Sequence, residues 1–185
     1  MSKQIIKLNL GCGTTKLPGF VNVDAEKSCK PDLVCDFTKQ RFPYKANSVD
    51  EVVLFHTIEH ISKRLHPGIL ASIWNILKPD GTFYLSYPEF TKCVDNWKKN
   101  WKGQKEFWEA TLYGRQLYPT DTHVCIMHTP DFKEVLESCG FKDIATAPEP
   151  AEPFNTMVSC RKGQKVPNYE DLIASMMKNT KIKKL

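Results

Sequence analysis

The sequence predicts an α/β fold built on a doubly wound, mostly parallel sheet. Three observations carry that expectation. Short apolar runs rich in β-branched residues recur at 5–10, 20–24, 32–37 and 50–55, as strands buried on both faces should. The periodicity then becomes helical after residue 65. Finally, the first run ends in Gly11-Cys12-Gly13 and the second in Asp24, a strand, glycine turn, strand and acid in succession.

IIKLNL (5–10), FVNVD (20–24), DLVCDF (32–37, after Pro31) and DEVVLF (50–55) read as the first four strands, with RFPYKANS as loop and Asn47-Ser48 as a turn. In HPGILASIWNILKPDG, Leu70, Ile73, Trp74 and Leu77 fall at i, i+3, i+4 and i+7, one face of a helix. Pro79-Asp80-Gly81 should end it and turn the chain into a fifth strand, TFYLSYP (82–88). Residues 89–120 hold Trp97, Trp101, Phe107, Trp108, Tyr113 and Tyr118 and read as one or two inserted helices. TPDFKEVLESCGF (129–141) is a helix with Thr129 as N-cap, Pro130 at its first position and Gly140 as C-cap. FKDIATA and NTMVSCR form a final antiparallel pair, bringing the strands to seven, and NYEDLIASMMKN is a short amphipathic helix. The expected organisation is one domain over 1–162, with 89–128 as a helical insertion or lid, followed by a basic tail over 163–185 that carries the short helix.

Charge is unevenly placed. Residues 1–160 hold 19 basic and 19 acidic residues, whereas 161–185 hold seven and two, so the tail supplies the whole excess of +5. A neutral body argues against a dedicated nucleic-acid enzyme, and the tail KNTKIKKL reads as a solvated terminus, with contact to nucleic acid or an anionic surface as the alternative. No run approaches the roughly 18 apolar residues of a membrane span. The N-terminal MSKQIIKLNL lacks the features of a signal peptide. Seven cysteines with no CxxC pair make neither a disulfide framework nor a four-cysteine zinc site, and most read as small buried apolar residues. A cytoplasmic protein is expected.

Sheets of this kind bind ligands beyond the carboxyl ends of their strands. Gly11 and Gly13 let the backbone turn sharply and approach a ligand. Only nine residues, Gly11 to Gly19, separate the first two strands, where a parallel crossover normally takes about a dozen or more. The dinucleotide fingerprint wants a third glycine at position 16, which is Lys16, and the helix that would hold a pyrophosphate is curtailed. NAD and FAD are therefore disfavoured. Asp24 suits a ribose diol, and Asp36 with Phe37 suits an adenine. Either acid alone reads as a cap or turn residue; two at consecutive strand ends point to a ligand.

Taken together, LNLGCG, FVNVD, DLVCDF, FPYKANSVDEV, LFHTIEH and ILKPDGTFYLSYP resemble the class I S-adenosylmethionine-dependent methyltransferases over about residues 5–90, with a weaker echo to Phe141. The resemblance implies a Rossmann-like fold with a shortened first helix, S-adenosyl-L-methionine as cofactor, and methyl transfer to a small-molecule, sugar or lipid-linked acceptor. It implies that Gly11, Cys12 and Gly13 line the methionine part, that Asp24 binds the ribose hydroxyls, that Asp36 and Phe37 bracket the adenine, and that Phe55 and His56 wall the sulfonium. This cofactor has no phosphate, so the helix dipole a pyrophosphate exploits is dispensable and the first helix can shrink to a turn. The rival reading is a module of the same fold that binds the nucleoside or a partner without catalysis.

In-line methyl transfer needs alignment and dryness, and a base only where the nucleophile carries a tightly held proton. Candidate proton handlers are His56, Glu59, His60, His123 and His128, with Tyr113 and Tyr118 as further side chains. His56, His123 and His128 are the catalytic candidates; for His123 and His128 a loop position without a role stands open beside the substrate-side one. His56-Thr57-Ile58-Glu59-His60 matches the H-x-x-E-H zinc spacing, but it abuts a strand where that motif needs a long helix, so no metal is expected. His60 reads as structural, bonded to backbone. The aromatic insertion is either a substrate lid or a plain helical cover.

Overall fold

The computed structural model describes residues 5–116, 121–164 and 168. Seven strands form one sheet in the order β3-β2-β1-β4-β5-β7-β6. They are β1 (Lys7–Leu10), β2 (Val21–Asp24), β3 (Leu33–Val34), β4 (Val49–Phe55), β5 (Leu77–Pro88), β6 (Phe141–Pro148) and β7 (Asn155–Lys162). The first five pair in parallel, and β7 is antiparallel to both β5 and β6. Chain order reverses between β1 and β4, so the switch point of the sheet lies between the glycine loop and residue 56.

Two strand boundaries differ from expectation. β3 is two residues long because its flanking acids serve as hydrogen-bond acceptors: Asp32 Oδ2 takes the Asn22 N–H, and Asp36 Oδ1 takes the Thr38 N–H in a turn. β5 begins at Leu77 and contains the Pro79-Asp80-Gly81 turn, since Leu77 pairs with Val49 before the register shifts to Thr82 opposite Glu51. Asp80 takes a φ of 57° there.

The β1–β2 crossover contains only turns, and an amide network takes the place of a first helix. Buried Asn9 donates to Asn22 Oδ1 (2.9 Å) and to Thr15 O (3.1 Å). Leu17 N–H donates to the same Asn22 oxygen (2.9 Å), and Asn22 Nδ2 donates to Asp32 Oδ2 (2.8 Å). Side chains on β1 and β2 thus satisfy loop groups that helix hydrogen bonds would otherwise occupy.

α1 (His66–Ile76) buries Ile69, Leu70, Ile73 and Ile76, and α4 (Thr129–Ser138) buries Phe132 and Leu136. Ring contacts of Phe132 with His66 (6.1 Å) and with Tyr87 of β5 (5.6 Å) join the two helices over the sheet. Thr129 is the first residue of α4 rather than its cap; its N–H donates to buried Glu89 (3.0 Å), as does its hydroxyl. Gly140 closes the helix at a φ of 83°. Over β7, burial alternates from Val158 to Lys162, so one face is packed and the other open, unlike the doubly covered parallel strands.

The insertion after β5 holds two helices, α2 (Phe90–Lys98) and α3 (Lys105–Tyr113). Trp108 is fully buried among Trp101, Phe107 and Phe154. All seven cysteines are free. Burial pushes the Cys93 and Cys139 thiols up to about 12 and Cys125 up to about 11, so they pack as small apolar groups. Among the described residues no helix is long and apolar enough to cross a membrane. Tyr118 and the expected C-terminal helix lie outside the described residues.

Candidate functional site

β1 ends in a loop whose backbone only glycine adopts readily: Gly11 and Gly13 have φ of 63° and 49°. At Gly11 a Cβ would stand 2.3 Å from Thr57 Cγ2, so the loop is pressed against the segment after β4. At Gly13 a Cβ would meet no heavy atom within 4 Å. Between them Cys12 is buried, and its N–H donates to Val23 O (3.0 Å). Lys16 Nζ donates to Gly13 O (2.7 Å) and lies 3.0 Å from Cys12 Sγ.

Asp24 joins this loop. Its Oδ2 accepts from Gly13 N–H (2.7 Å) and its Oδ1 from Glu26 N–H (2.8 Å). The glycine turn and the acid at the end of β2, read separately in the sequence, are one hydrogen-bonded unit. Asp36 follows β3, where Cys35 N–H donates to Asp24 O (2.9 Å). Burial acts to raise the Asp36 carboxyl, but hydrogen bonds from Lys39 and Thr38 outweigh it and hold its pKa below the ordinary value. Phe37 is half-buried and stacks on Phe42 with centroids 5.6 Å apart.

β4 ends at half-buried Phe55, and His56 follows in a left-handed conformation (φ 47°), its N–H donating to Ser86 O (3.0 Å). A non-glycine residue held there at a strand end is the sort of strained position that collects at functional sites. Its Nε2 lies 3.2 Å from Glu149 Oε2 and its Nδ1 3.7 Å from Glu59 Oε1. Burial alone would lower the His56 pKa; the two carboxylates more than compensate and raise it. Glu149 comes from the β6–β7 connection, and no local spacing marks it.

After His56 comes one 3₁₀ turn, Ile58–His60, so His56 and His60 do not share the face of a helix as the H-x-x-E-H spacing would require. His60 Nδ1 is bonded to Thr122 O (3.1 Å), the backbone partner expected for it. His123 packs edge-on against His60 at 4.7 Å, and burial lowers its pKa. Val124 N–H donates to Glu59 O (2.9 Å), which ties this segment to the end of β4. His128 stands apart: it precedes α4 and pairs with Asp131 (3.3 Å). Structure thus joins Gly11, Gly13 and Asp24 in one group, and His56, His60 and His123 around Glu59 in another. A separate open hollow of about 380 Å³ lies among Thr82, Tyr84, Ser159 and Arg161, and contains none of these residues.

Comparison with known proteins fits this fold. A family described as "Methyltransferase domain" matches residues 10–146. A solved methyltransferase from Archaeoglobus fulgidus, described as SAM dependent, superposes with a TM-score of 0.63 at 15% identity, covering 86% of this chain and 87% of that one. One from Methanosarcina mazei gives 0.60 at 14% identity, covering 89% and 95%. Phosphoethanolamine N-methyltransferase 2 of Haemonchus contortus, solved with S-adenosyl-L-methionine, gives 0.58 at 12% identity, covering 89% of this chain and 50% of that one. No curated protein sequence matches.

Proposed function

The chain belongs to the methyltransferase domain family, as a class I methyltransferase whose cofactor is S-adenosyl-L-methionine, and from that premise we propose that it methylates a small-molecule, sugar or lipid-linked acceptor. The reading is carried by the bond from Gly13 N–H to Asp24 Oδ2, which fuses the glycine loop and the β2 acid at the switch point of the sheet.

The residues present fit the cofactor. A carboxylate has about four acceptor positions, and Asp24 uses one per oxygen on its own backbone, which leaves two for a ribose diol. The open space beside Gly13 lets a ligand lie on the loop backbone. Asp36 has acceptor capacity left for an exocyclic amine, and Phe37 supplies an apolar shelf. Cys12 and Gly11 border the methionine end, where no phosphate calls for a helix.

When bound, the cofactor supplies a methyl group already activated on a sulfonium. The chain then has to align the acceptor and exclude water. Phe55 and His56 wall that position. His56 in its neutral form takes the proton that an acceptor gives up, and Glu59 and Glu149 favour the imidazolium that then holds it. His123 borders the acceptor from the insertion side, His128 stays apart on Asp131, and α2 and α3 form the lid.

Calorimetry with S-adenosylhomocysteine tests the reading. Binding is expected, and Asp24→Ala should weaken it by about 2 kcal/mol, roughly 30-fold. Absence of binding at millimolar concentration would remove the proposal. Methylated product in a metabolite extract, followed by mass spectrometry, would eliminate the rival of a binding module without catalysis.

A further inference from the structure

Glu59 is 2% exposed, yet no hydrogen-bond donor reaches either of its carboxylate oxygens among the described residues. His56 Nδ1 approaches Oε1 only to 3.7 Å, outside hydrogen-bonding range. A buried carboxylate without donors is costly, and the usual remedy is a cation beside it. Two imidazoles face this one: ligand-capable atoms of Glu59, His60 and His123 all lie within 4.8 Å of one another.

The His60 ring is oriented from behind. The Nδ1 of His60 is bonded to the Thr122 carbonyl, which fixes the tautomer and leaves Nε2 with its lone pair. The His123 ring packs edge-on against His60, and its backbone N–H donates to Tyr113 O (3.0 Å). An imidazole anchored by a backbone carbonyl on the far nitrogen, as His60 is, is how metal-ligating histidines are held. Beside Glu59 and His123 lies a hollow of about 10 Å³, bordered by Thr111, Cys125 and Met127, with room for one atom-sized occupant.

We propose that Glu59, His60 and His123 form a binding site for one divalent first-row transition-metal ion. The donor set, two imidazoles and a carboxylate, suits zinc, iron, cobalt or manganese and leaves coordination positions open. It is not the trio suggested by the H-x-x-E-H spacing: His56 is replaced by His123, which lies 63 residues beyond His60 in sequence. Tetrahedral binding at about 2.1 Å brings ligand atoms to roughly 3.4 Å from one another, so the three close in on the ion as it binds. Its place directly after β4 suits it to hold an acceptor hydroxyl; that use rests on the methyl-transfer reading, while metal binding does not.

The test uses the full chain, reduced, with Zn²⁺ followed by calorimetry and Co²⁺ by visible absorption. One equivalent should bind, and Co²⁺ should show ligand-field bands without the charge-transfer band of cysteine thiolates. Glu59→Gln and His123→Asn should each weaken binding by roughly 100-fold or more, beyond what loss of an outer-shell partner costs. Cys125→Ser should leave it unchanged. Folding of each variant is checked by thermal melting in chelator; should Glu59→Gln fail to fold, half-buried His123 decides. No binding, a thiolate band, or equal affinity in the variants would overturn the proposal. S-adenosylhomocysteine is titrated in parallel: metal binding without nucleoside binding upholds this site and sinks the methyl-transfer reading, and the converse result does the reverse.

Discussion

Gly11 and Gly13 differ by two positions and share a left-handed backbone, yet they answer to different constraints. A side chain at Gly11 meets Thr57 within 2.3 Å, so Gly11→Ala forces the loop away from the end of β4. A loss of about 3 kcal/mol in folding stability is expected, from overpacking added to backbone strain. Gly13→Ala meets nothing, so only the φ of 49° is penalised, by about 1 kcal/mol. Its methyl group would stand in the space assigned to the cofactor, so affinity for S-adenosylhomocysteine should fall by more than stability does. Urea melts and calorimetry on both variants separate the two effects. Equal stability losses, with unchanged affinity for Gly13→Ala, would contradict the placement of the ligand on this loop.

At the scale of elements, the first crossover depends on side-chain amides where other chains would use a helix. Asn22 joins Asn9, Leu17, and Asp32. Asn22→Ala leaves buried Asn9 and the half-buried Leu17 N–H without that acceptor, and a cost of about 2 kcal/mol is expected, from 1–3 kcal/mol for the orphaned buried group. Because the same loop carries Gly13, the variant should also weaken nucleoside binding; hydrogen exchange at Gly13 and Leu17 would report the loosening. Exchange unchanged at both amides would show that the network is dispensable. The strands that carry Gly11, Asp24 and His56 are legible in sequence because each is an apolar run closed by a glycine or a polar residue. The early end of β3 is not, since DLVCDF is apolar enough to continue and stops only because Asp32 and Asp36 turn to donors elsewhere. The early start of β5 also escapes, as Leu77 fits a helical face as well as a strand. Neither Glu149 beside His56 nor His123 beside Glu59 has a local signature, because each contact spans many residues and is set only when the sheet assembles.

At the scale of the whole molecule, His66 couples the core to pH. It is 3% exposed at the start of α1, and its Nε2–H is shared between the carbonyls of Ile58 (3.1 Å) and Ile61 (2.9 Å). It thereby joins the turn after β4 to α1, and its ring meets Phe132 of α4. Burial drives its pKa down from 6.5 to about 4, with those carbonyls opposing the change. The unfolded chain therefore binds a proton at this residue below about pH 6.5, where the folded chain does not. Stability from this group is complete above pH 6.5 and drains as pH falls toward 4, with about 2 kcal/mol gone by pH 5. Carboxylates also titrate in this range, so the comparison must be internal. His66→Gln keeps an N–H donor and removes the titration. Urea unfolding at pH 7.5, 6 and 5 should show the wild-type chain losing stability faster than the variant by that amount. Parallel loss in both proteins would mean that His66 is protonated without unfolding, and that the carbonyl pair holds an imidazolium in place of a neutral ring.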